Sequence, residues 1–342
     1  MGAGFAGLSA AWHARQRGVD PLVLDAAEQP GGAWARMDPT MRCLSPRSLD
    51  RLPNGMFPQG DSPVASAAEV LDIVRLFAAR LGPRARYGAR VRSVEGRGEV
   101  LALRVGQEVL ETRALIAATG IAGAPRGLSL PDIEDFNGLL VPALGLHHRL
   151  DEIGPRVLVV GAGNSGHDAV RLLVGTGRQV TLASATPLRS QGAYPGGVEG
   201  RVRWALSALP VRLLPSSLHC GEVLPVDNLL EEAVRDGRIR LVGAVRSVWD
   251  DGAHCAPAPG DEGPDVFVHA DTVVVATGYR RDLGWLGGLV RRDDRGAPMH
   301  EGGVISRTPG IGLLGLDCMR TRRSGFLRGM SDDARAVVDT LL

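Results

Sequence analysis

The sequence predicts an α/β fold of two Rossmann-like domains, and three observations carry that expectation. Gly2-Ala3-Gly4-Phe5-Ala6-Gly7 and Gly161-Ala162-Gly163-Asn164-Ser165-Gly166 are both G-x-G-x-x-G motifs. Each is followed by a helical stretch and a short apolar strand in the same frame: Gly18 and Gly177 both lie 16 residues after their first glycine, and Asp25 and Ser184 both lie 23 after. An echo follows in each half, where Ala114-Leu115-Ile116-Ala117-Ala118 runs into Thr119-Gly120 and Val273-Val274-Val275-Ala276 runs into Thr277-Gly278. Agreement at three offsets reads as one dinucleotide-binding design used twice, each copy a parallel sheet wound with helices.

The elements follow in order. In each fingerprint the first glycine permits the tight strand-to-helix turn, the second lets backbone approach a pyrophosphate, and the third lets helix pack on strand. The pyrophosphate then meets the free N–H groups and dipole of the helix start. A helix through Ala10, Ala11 and Ala14 precedes the strand Pro21–Leu24, and one through Val170 and Leu173 precedes Val180–Leu182. Ser66-Ala67-Ala68-Glu69 is a capping box that opens a helix through Val70, Ile73, Val74 and Phe77. Residues 253–265 read as a loop between strands, and a final helix is expected to start near Ser331-Asp332-Asp333. One element is missing from the repeat. Arg156-Val157-Leu158-Val159-Val160 precedes the second fingerprint as a strand, whereas only Met1 precedes the first. The expectation is a reading frame that continues upstream of Met1 with about four to six apolar, β-branched residues.

Composition narrows the classes of function. At 342 residues the chain exceeds one ordinary core. Its 44% apolar and 23% charged residues are ordinary for a globular chain. All 39 basic residues are Arg, against 38 acidic ones, for a net charge of +1. The absence of Lys excludes Schiff-base and phosphate-loop lysines, and the balance gives no reason to expect nucleic acid or an anionic membrane as partner. Cys43, Cys220, Cys255 and Cys318 show no C-x-x-C or metal-ligand spacing, which predicts neither a disulfide framework nor a metal site and fits a cytoplasmic protein. No apolar run reaches the roughly 18 residues of a membrane span, and no leader precedes the first motif.

The residue ending the second strand distinguishes the two nucleotides. Asp25 is the acid that accepts hydrogen bonds from ribose hydroxyls. Ser184 in its place removes a carboxylate that would repel a 2′-phosphate, and Ser184, Thr186 and Arg189 offer donors and positive charge, which favours NADPH. Arg189 read without a ligand is a solvated loop charge.

Gly31-Gly32-Ala33-Trp34 follows Asp25 as G-G-x-W follows the FAD fingerprint of the flavin-containing monooxygenases. The chain resembles that class B group, particularly its short bacterial and YUCCA-type members, over nearly its whole length. Leu44-Ser45-Pro46-Arg47 through Leu52-Pro53 is similar to the family's segment beside the flavin, and Ala276-Thr277-Gly278-Tyr279 to its A-T-G-Y. Gly315-Leu316, Ser324 through Gly329 and Asp333-Ala334 are similar to its return to the FAD domain. Two departures stand out. Phe136-Asn137-Gly138 is present, but Pro142 stands where the family's F-x-G-x-x-x-H has histidine, with His147 and His148 only later. Leu44 and Ser45 occupy the stretch where some members carry asparagine.

The resemblance implies a discontinuous FAD domain, residues 1–145 and 285–342, with an NADPH domain, 150–284, inserted and the cofactors meeting between them. It implies FAD on Gly2, Gly4, Phe5, Ala6, Gly7, Asp25, Gly32, Trp34, Thr119, Gly120 and Asp317. NADPH is expected on Gly161, Gly163, Asn164, Ser165, Gly166, Ser184, Arg189, Thr277 and Gly278. NADPH would reduce the flavin, and O₂ would add as a C4a-(hydro)peroxide that oxygenates a small molecule at nitrogen, sulfur or a carbonyl. Asn164 is the candidate for orienting NADP⁺, or else a helix N-cap. Arg47 is a candidate for cofactor or peroxide, or else a salt-bridge residue. The last helix is expected to aim its N-terminus at the flavin pyrimidine. Two other readings stand beside this one: a flavin reductase or dehydrogenase without oxygen insertion, and a non-catalytic nucleotide-binding flavoprotein. Cys43 and Cys318 fall near the expected flavin, but without C-x-x-C they read as buried apolar residues.

Overall fold

The computed structural model describes the chain except residues 83, 131–132, 192–201, 203, 216–222, 226 and 295; Cys220 lies outside the described residues. The chain is mixed α/β and divides into two compact units, residues 1–123, 197–221 and 281–342 forming one and residues 124–196 and 222–280 the other.

In chain order the first unit opens with α1 (Phe5–Gln16), β1 (Leu22–Leu24), β2 (Arg42–Pro46), β3 (Val64–Ser66) and α2 (Ala67–Leu81). It continues with β4 (Arg84–Arg86), β5 (Val91–Arg97), β6 (Val100–Val105), β7 (Glu108–Thr112) and β8 (Leu115–Ala117). The second unit supplies β9 (Ala124–Pro125), β10 (Leu139–Pro142), β11 (Arg156–Val160), α3 (Asn164–Val174), β12 (Gln179–Ala183), α4 (Leu229–Arg235) and β13 (Arg240–Val242). It ends with β14 (Val245–Trp249), β15 (Gly252–Cys255), β16 (Val266–His269), β17 (Thr272–Val275) and β18 (Tyr279–Arg280). The first unit closes with β19 (Ile311–Leu313) and α5 (Leu327–Leu341).

The second unit has a five-stranded parallel sheet, β10-β17-β11-β12-β13. Its central strand β11 is almost wholly apolar, as a strand buried on both faces must be. Val157, Leu158 and Val159 are buried between two core clusters, one around Val170 and Leu173 of α3 and one around the antiparallel strands β14–β16.

The first unit repeats this pattern around an interrupted centre. β1 pairs with β4 and β8 with β19, both in parallel, but the two ladders are separate two-stranded sheets. Met1 bridges them. Its amino group donates to Ile116 O at 2.6 Å, Ala118 N donates to Met1 O at 2.8 Å, and Gly2 N donates to Leu24 O at 2.7 Å. Val160 is its counterpart in the other unit: Ala276 N donates to Val160 O at 2.9 Å and Gly161 N to Ala183 O at 2.9 Å. Met1 therefore holds the last position of the place that β11 fills in the other sheet. Burial of its amino group pulls the amine pKa down to about 6 against the opposing pull of Asp25.

Helix α2 starts with both halves of its capping box formed by Ser66 and Glu69, and its buried stripe Val70, Val74 and Phe77 meets Trp12 of α1, ring centroids 5.8 Å apart. Two expectations are corrected. The final helix begins at Leu327, with Phe326 as its N-cap, so Ser331 to Asp333 lie inside it. Burial of Leu327 and Met330 stabilises that extra turn, and Gly329 permits it, since a Cβ there would sit 2.4 Å from Arg323 O. Cys43 and Cys255 are buried, but Cys318 is disulfide-bonded rather than a plain buried thiol. That pairing comes from the tertiary fold, which spacing along the chain does not report. No helix among the described residues is long and apolar enough to cross a membrane.

The place beside Met1 can be probed by fusing Arg-Val-Leu-Val, the sequence of residues 156–159, ahead of Met1. A strand that pairs with both β1 and β8 is expected to raise Tm by about 4–8 °C, the shift that ~2 kcal/mol produces in a domain of this size. Unchanged Tm in a thermal melt would show that the two ladders gain nothing from a strand between them.

Candidate functional site

Both helices that begin at the glycine motifs start bare. The N-caps of α1 and α3 are Gly4 and Gly163, neither with a side-chain cap and neither helix with an acid in its first turn. The first N–H groups of each helix are left for a ligand, and the dipole there favours an anion. Asn164 is the first helical residue, not the N-cap that sequence reasoning kept open, because Gly163 has the extended backbone of a cap.

The three glycines of each motif have separate physical duties, alike in the two units. Gly2 and Gly161 have φ of 100° and 110°, and a Cβ on them would lie 2.3 Å from Ala118 O and 2.6 Å from Ala276 O. A Cβ on Gly7 or Gly166 would lie 1.8 Å from the carbonyl of Gly2 or Gly161. These positions hold helix on strand. The middle glycines differ: a Cβ on Gly163 meets nothing within 4 Å, and one on Gly4 meets only Gly32 backbone, at 3.5 Å. Nothing among the described residues requires glycine at 163, so the open face there fits an incoming group such as a pyrophosphate.

Other expected residues gather around the first motif. Gly31 N donates to Ala3 O at 3.0 Å, which brings Gly32 against Gly4. Trp34 follows in a short 3-10 turn and packs on the core. Asp25 receives Ala3 N at 2.5 Å and Ala27 N at 2.8 Å, so its carboxylate is fixed beside the motif. Thr119 and Gly120 continue directly from Ala118, which touches Gly2. Phe5 and Ala6 are buried, with their side chains in the core.

The second motif has matching neighbours. Thr277 is adjacent to Gly161 as Thr119 is to Gly2, its Oγ1 donates to Arg126 O at 2.8 Å, and Gly278 has φ of 95°. Ser184 is buried, and its hydroxyl donates to Thr186 O at 2.6 Å. Arg189 is exposed, and Ser165 is half-buried in the first turn of α3. The Asn164 side chain donates to Val223 O at 2.6 Å and so ties the motif to the chain before α4.

Sequence reasoning missed a further anchor there. His167 Nε2 and Asp227 Oδ1 lie 2.5 Å apart, and Arg171 donates to the other oxygen of Asp227 at 2.5 Å. Burial opposes protonation of His167, but bonds to Asp168 and Asp227 outweigh it and hold the imidazole above its ordinary pKa. Residues 167 and 171 share a helix face, a spacing legible in sequence; Asp227, far along the chain, is not.

Two other expected residues lie apart from the motifs. Arg47 is buried, and its Nε donates to Ser62 O at 2.8 Å. Its Nη2 reaches Val64 O and the Glu69 carboxylate, each at 3.1 Å. Asp317 is exposed and pairs with Arg281 at 2.6 Å. Beside Arg47, Asp50 is wholly buried and accepts from Ser45 Oγ at 2.6 Å, a carboxylate that sequence reasoning passed over.

Comparison with known proteins gives these loops a context. Residues 1–204 match the family described as pyridine nucleotide-disulphide oxidoreductase. The chain is 26% identical over 321 residues to indole-3-pyruvate monooxygenase YUCCA1 of Oryza sativa subsp. japonica, covering 84% of this chain and 77% of that protein. Among solved structures, a flavin-containing monooxygenase from Stenotrophomonas maltophilia superposes with a TM-score of 0.76 at 25% identity, covering 99% of this chain and 96% of that one. The fold is also that of OTEMO in complex with FAD and NADP, with a TM-score of 0.71 at 17% identity, covering 99% of this chain and 84% of that one.

The contrast between glycines is testable. Gly163→Val is expected to leave Tm within about 1–2 °C, a small surface effect, while weakening NADPH binding at least tenfold by isothermal titration. Gly166→Ala is expected to destabilise the second unit by several °C or prevent folding, because its methyl group would overlap Gly161 O. If Gly163→Val bound NADPH as the parent does, the loop would not be the pyrophosphate site.

Proposed function

Because this chain belongs to the pyridine nucleotide-disulphide oxidoreductase family, we propose that it is an FAD- and NADPH-dependent monooxygenase of the flavin-containing type, acting on a small molecule. The observation that carries the reading is the pair of bare-glycine helix starts with the same hydrogen bonds around each. The monooxygenase relatives support oxygenation as the chemistry. In this reading both units are Rossmann-like, the first serving FAD and the second NADPH.

This chain's residues bind and orient. The first N–H groups of α1 and the backbone at Gly4 and Gly32 hold the FAD pyrophosphate, and Asp25 accepts from the ribose. The start of α3 holds the NADPH pyrophosphate. Ser184, its hydroxyl donated to Thr186 O, places no carboxylate at the end of β12 to repel a 2′-phosphate, and Arg189 supplies positive charge for one. Asn164, fixed through Val223, keeps the second loop in register with the nicotinamide half of its ligand. Bound FAD, reduced at the expense of NADPH, supplies the activation of O₂ and the transfer of one oxygen atom to nitrogen, sulfur or a carbonyl carbon.

A reductase without oxygen insertion is the second reading, favoured by the family's disulphide-reducing members and by the disulfide-bonded Cys318. Turnover under ¹⁸O₂ separates the two. One labelled oxygen in an amine or sulfide product, with NADPH oxidation stopped by removing O₂, is expected. NADPH oxidation that continues anaerobically with a disulfide acceptor would replace the monooxygenase reading with the reductase.

Cofactor choice is tested at one residue. Ser184→Asp is expected to lower the NADPH/NADH ratio of kcat/KM about tenfold, equivalent to ~1.4 kcal/mol, by repelling the 2′-phosphate and accepting from the ribose as Asp25 does. An unchanged ratio would remove Ser184 from cofactor recognition.

A further inference from the structure

The first unit holds a cavity that no part of the proposed reaction uses. Its volume is about 570 Å³, within the range that small organic ligands occupy. Arg86, Tyr87, Arg90 and Arg92 line it from the end of β4 to the start of β5, and Val105 and Glu108 line it from either side of the turn between β6 and β7. None of the residues assigned above to FAD or NADPH lines it.

The charge on its wall is unbalanced. Arg86 donates to Glu108 at 2.6 Å, so those two charges offset each other. Arg90 and Arg92, both exposed, have no hydrogen-bond or ion-pair partner among the described residues. Arg92 owes its position to a bulge: Val91 pairs with Val105 and Ser93 with Arg104, which leaves Arg92 opposite no residue of β6. An extra residue of this kind takes its side chain out of the regular alternation of the strand. On the facing turn Gly106 has φ of 60°, and a Cβ there would meet nothing within 4 Å. Ala89 and Val105 are partly buried against the core of this unit, so the same wall carries apolar surface beside the two arginines. A single exposed arginine is ordinarily only solvated; two unpaired ones on one concave wall, next to apolar side chains, make a binding surface for an anion with an organic body.

We propose that this cavity binds a phosphomonoester, its phosphate held by Arg90 and Arg92 and its organic body resting against Tyr87, Ala89 and Val105. Three arginines against one glutamate leave the wall with a charge of +2, which complements a dianion. Each guanidinium presents a planar fork of donors that matches phosphate oxygens, and a phosphate offers three such oxygens where a carboxylate offers two. The cavity is larger than an inorganic phosphate fills, so the ligand is an ester rather than the free ion. The site is separate from both glycine motifs and does not rest on the FAD and NADPH reading.

Isothermal titration of the full chain at about pH 8, where a phosphomonoester is a dianion, tests this with phenyl phosphate, inorganic phosphate and phenol as probes. Saturating FAD and NADP⁺ are present throughout, so that neither nucleotide site takes up the probe. Phenyl phosphate is expected to bind once per chain, at least about threefold more tightly than inorganic phosphate, and phenol is expected not to bind. Arg90→Gln and Arg92→Gln are each expected to weaken phenyl phosphate about tenfold, the range of one hydrogen bond to a charged group, with Tm and FAD content unchanged. Arg92→Lys, which keeps the charge and loses the fork, is expected to fall between parent and Arg92→Gln. Arg246→Gln, at an exposed arginine of β14 in the other unit, is expected to bind as the parent does. Phenyl phosphate bound no better than inorganic phosphate, or weakened equally by Arg246→Gln, would reduce the cavity to general positive charge and overturn the proposal. Parent-like binding in both Arg90→Gln and Arg92→Gln would overturn it too. Loss of FAD from either variant would assign the cavity to the flavin site instead and would equally overturn it.

Discussion

The contact between the third glycine of each motif and the carbonyl of the first is the constraint on which the rest depends. Gly7 against Gly2 O and Gly166 against Gly161 O leave no room for even a methyl group. That approach fixes where each helix starts relative to its strand, and so the direction in which its first N–H groups point. Because the start is fixed by packing, no capping side chain is needed, and none is present at Gly4 or Gly163. Helix α2 has no such contact at its start and relies on the Ser66–Glu69 capping box instead.

The same constraint has unequal support in the two units. In the second, β11 enters the turn from between β12 and β17 and is hydrogen-bonded along both edges. In the first, Met1 N donates to Ile116 O of β8 and Gly2 N to Leu24 O of β1. The turns at Gly2 and Gly161 are alike, with φ of 100° and 110° and the same close approach to a facing carbonyl. The supporting strand contributes to the sheet that surrounds it.

The buried polar residues of the first unit follow a different logic. Arg47 donates through Nε and Nη2 to two carbonyls and Glu69 while its Nη1 is buried with no partner among the described residues, and Glu69 also caps α2, so one carboxylate joins a helix start to a buried cation. Such a group orders the segment after β2. Asp50 is also only half satisfied, and burial pushes its carboxyl up to about 7. Interiors tolerate an unsatisfied group of this kind chiefly where something else uses it.

The repeated unit is legible along the chain, because the steric demands of the glycine turns are local and recur at equal spacing. The positions of Gly2 to Gly7, Gly161 to Gly166, Asp25 and Ser184 were all legible for that reason, as was the capping box at Ser66. The start of α5 was misread because Ser331, Asp332 and Asp333 are good capping residues, whereas burial of Leu327 and Met330 outweighs that preference. The partners of long-range polar groups emerge only on folding. Asp227 beside His167, Val223 beside Asn164 and Glu69 beside Arg47 join residues far apart in the chain. A charge or thiol carries no mark in sequence of what it will face. Asp50 is the clearest case: one acid among polar neighbours in sequence, it is distinguished only by the fold that closes over it and leaves Oδ2 without a partner.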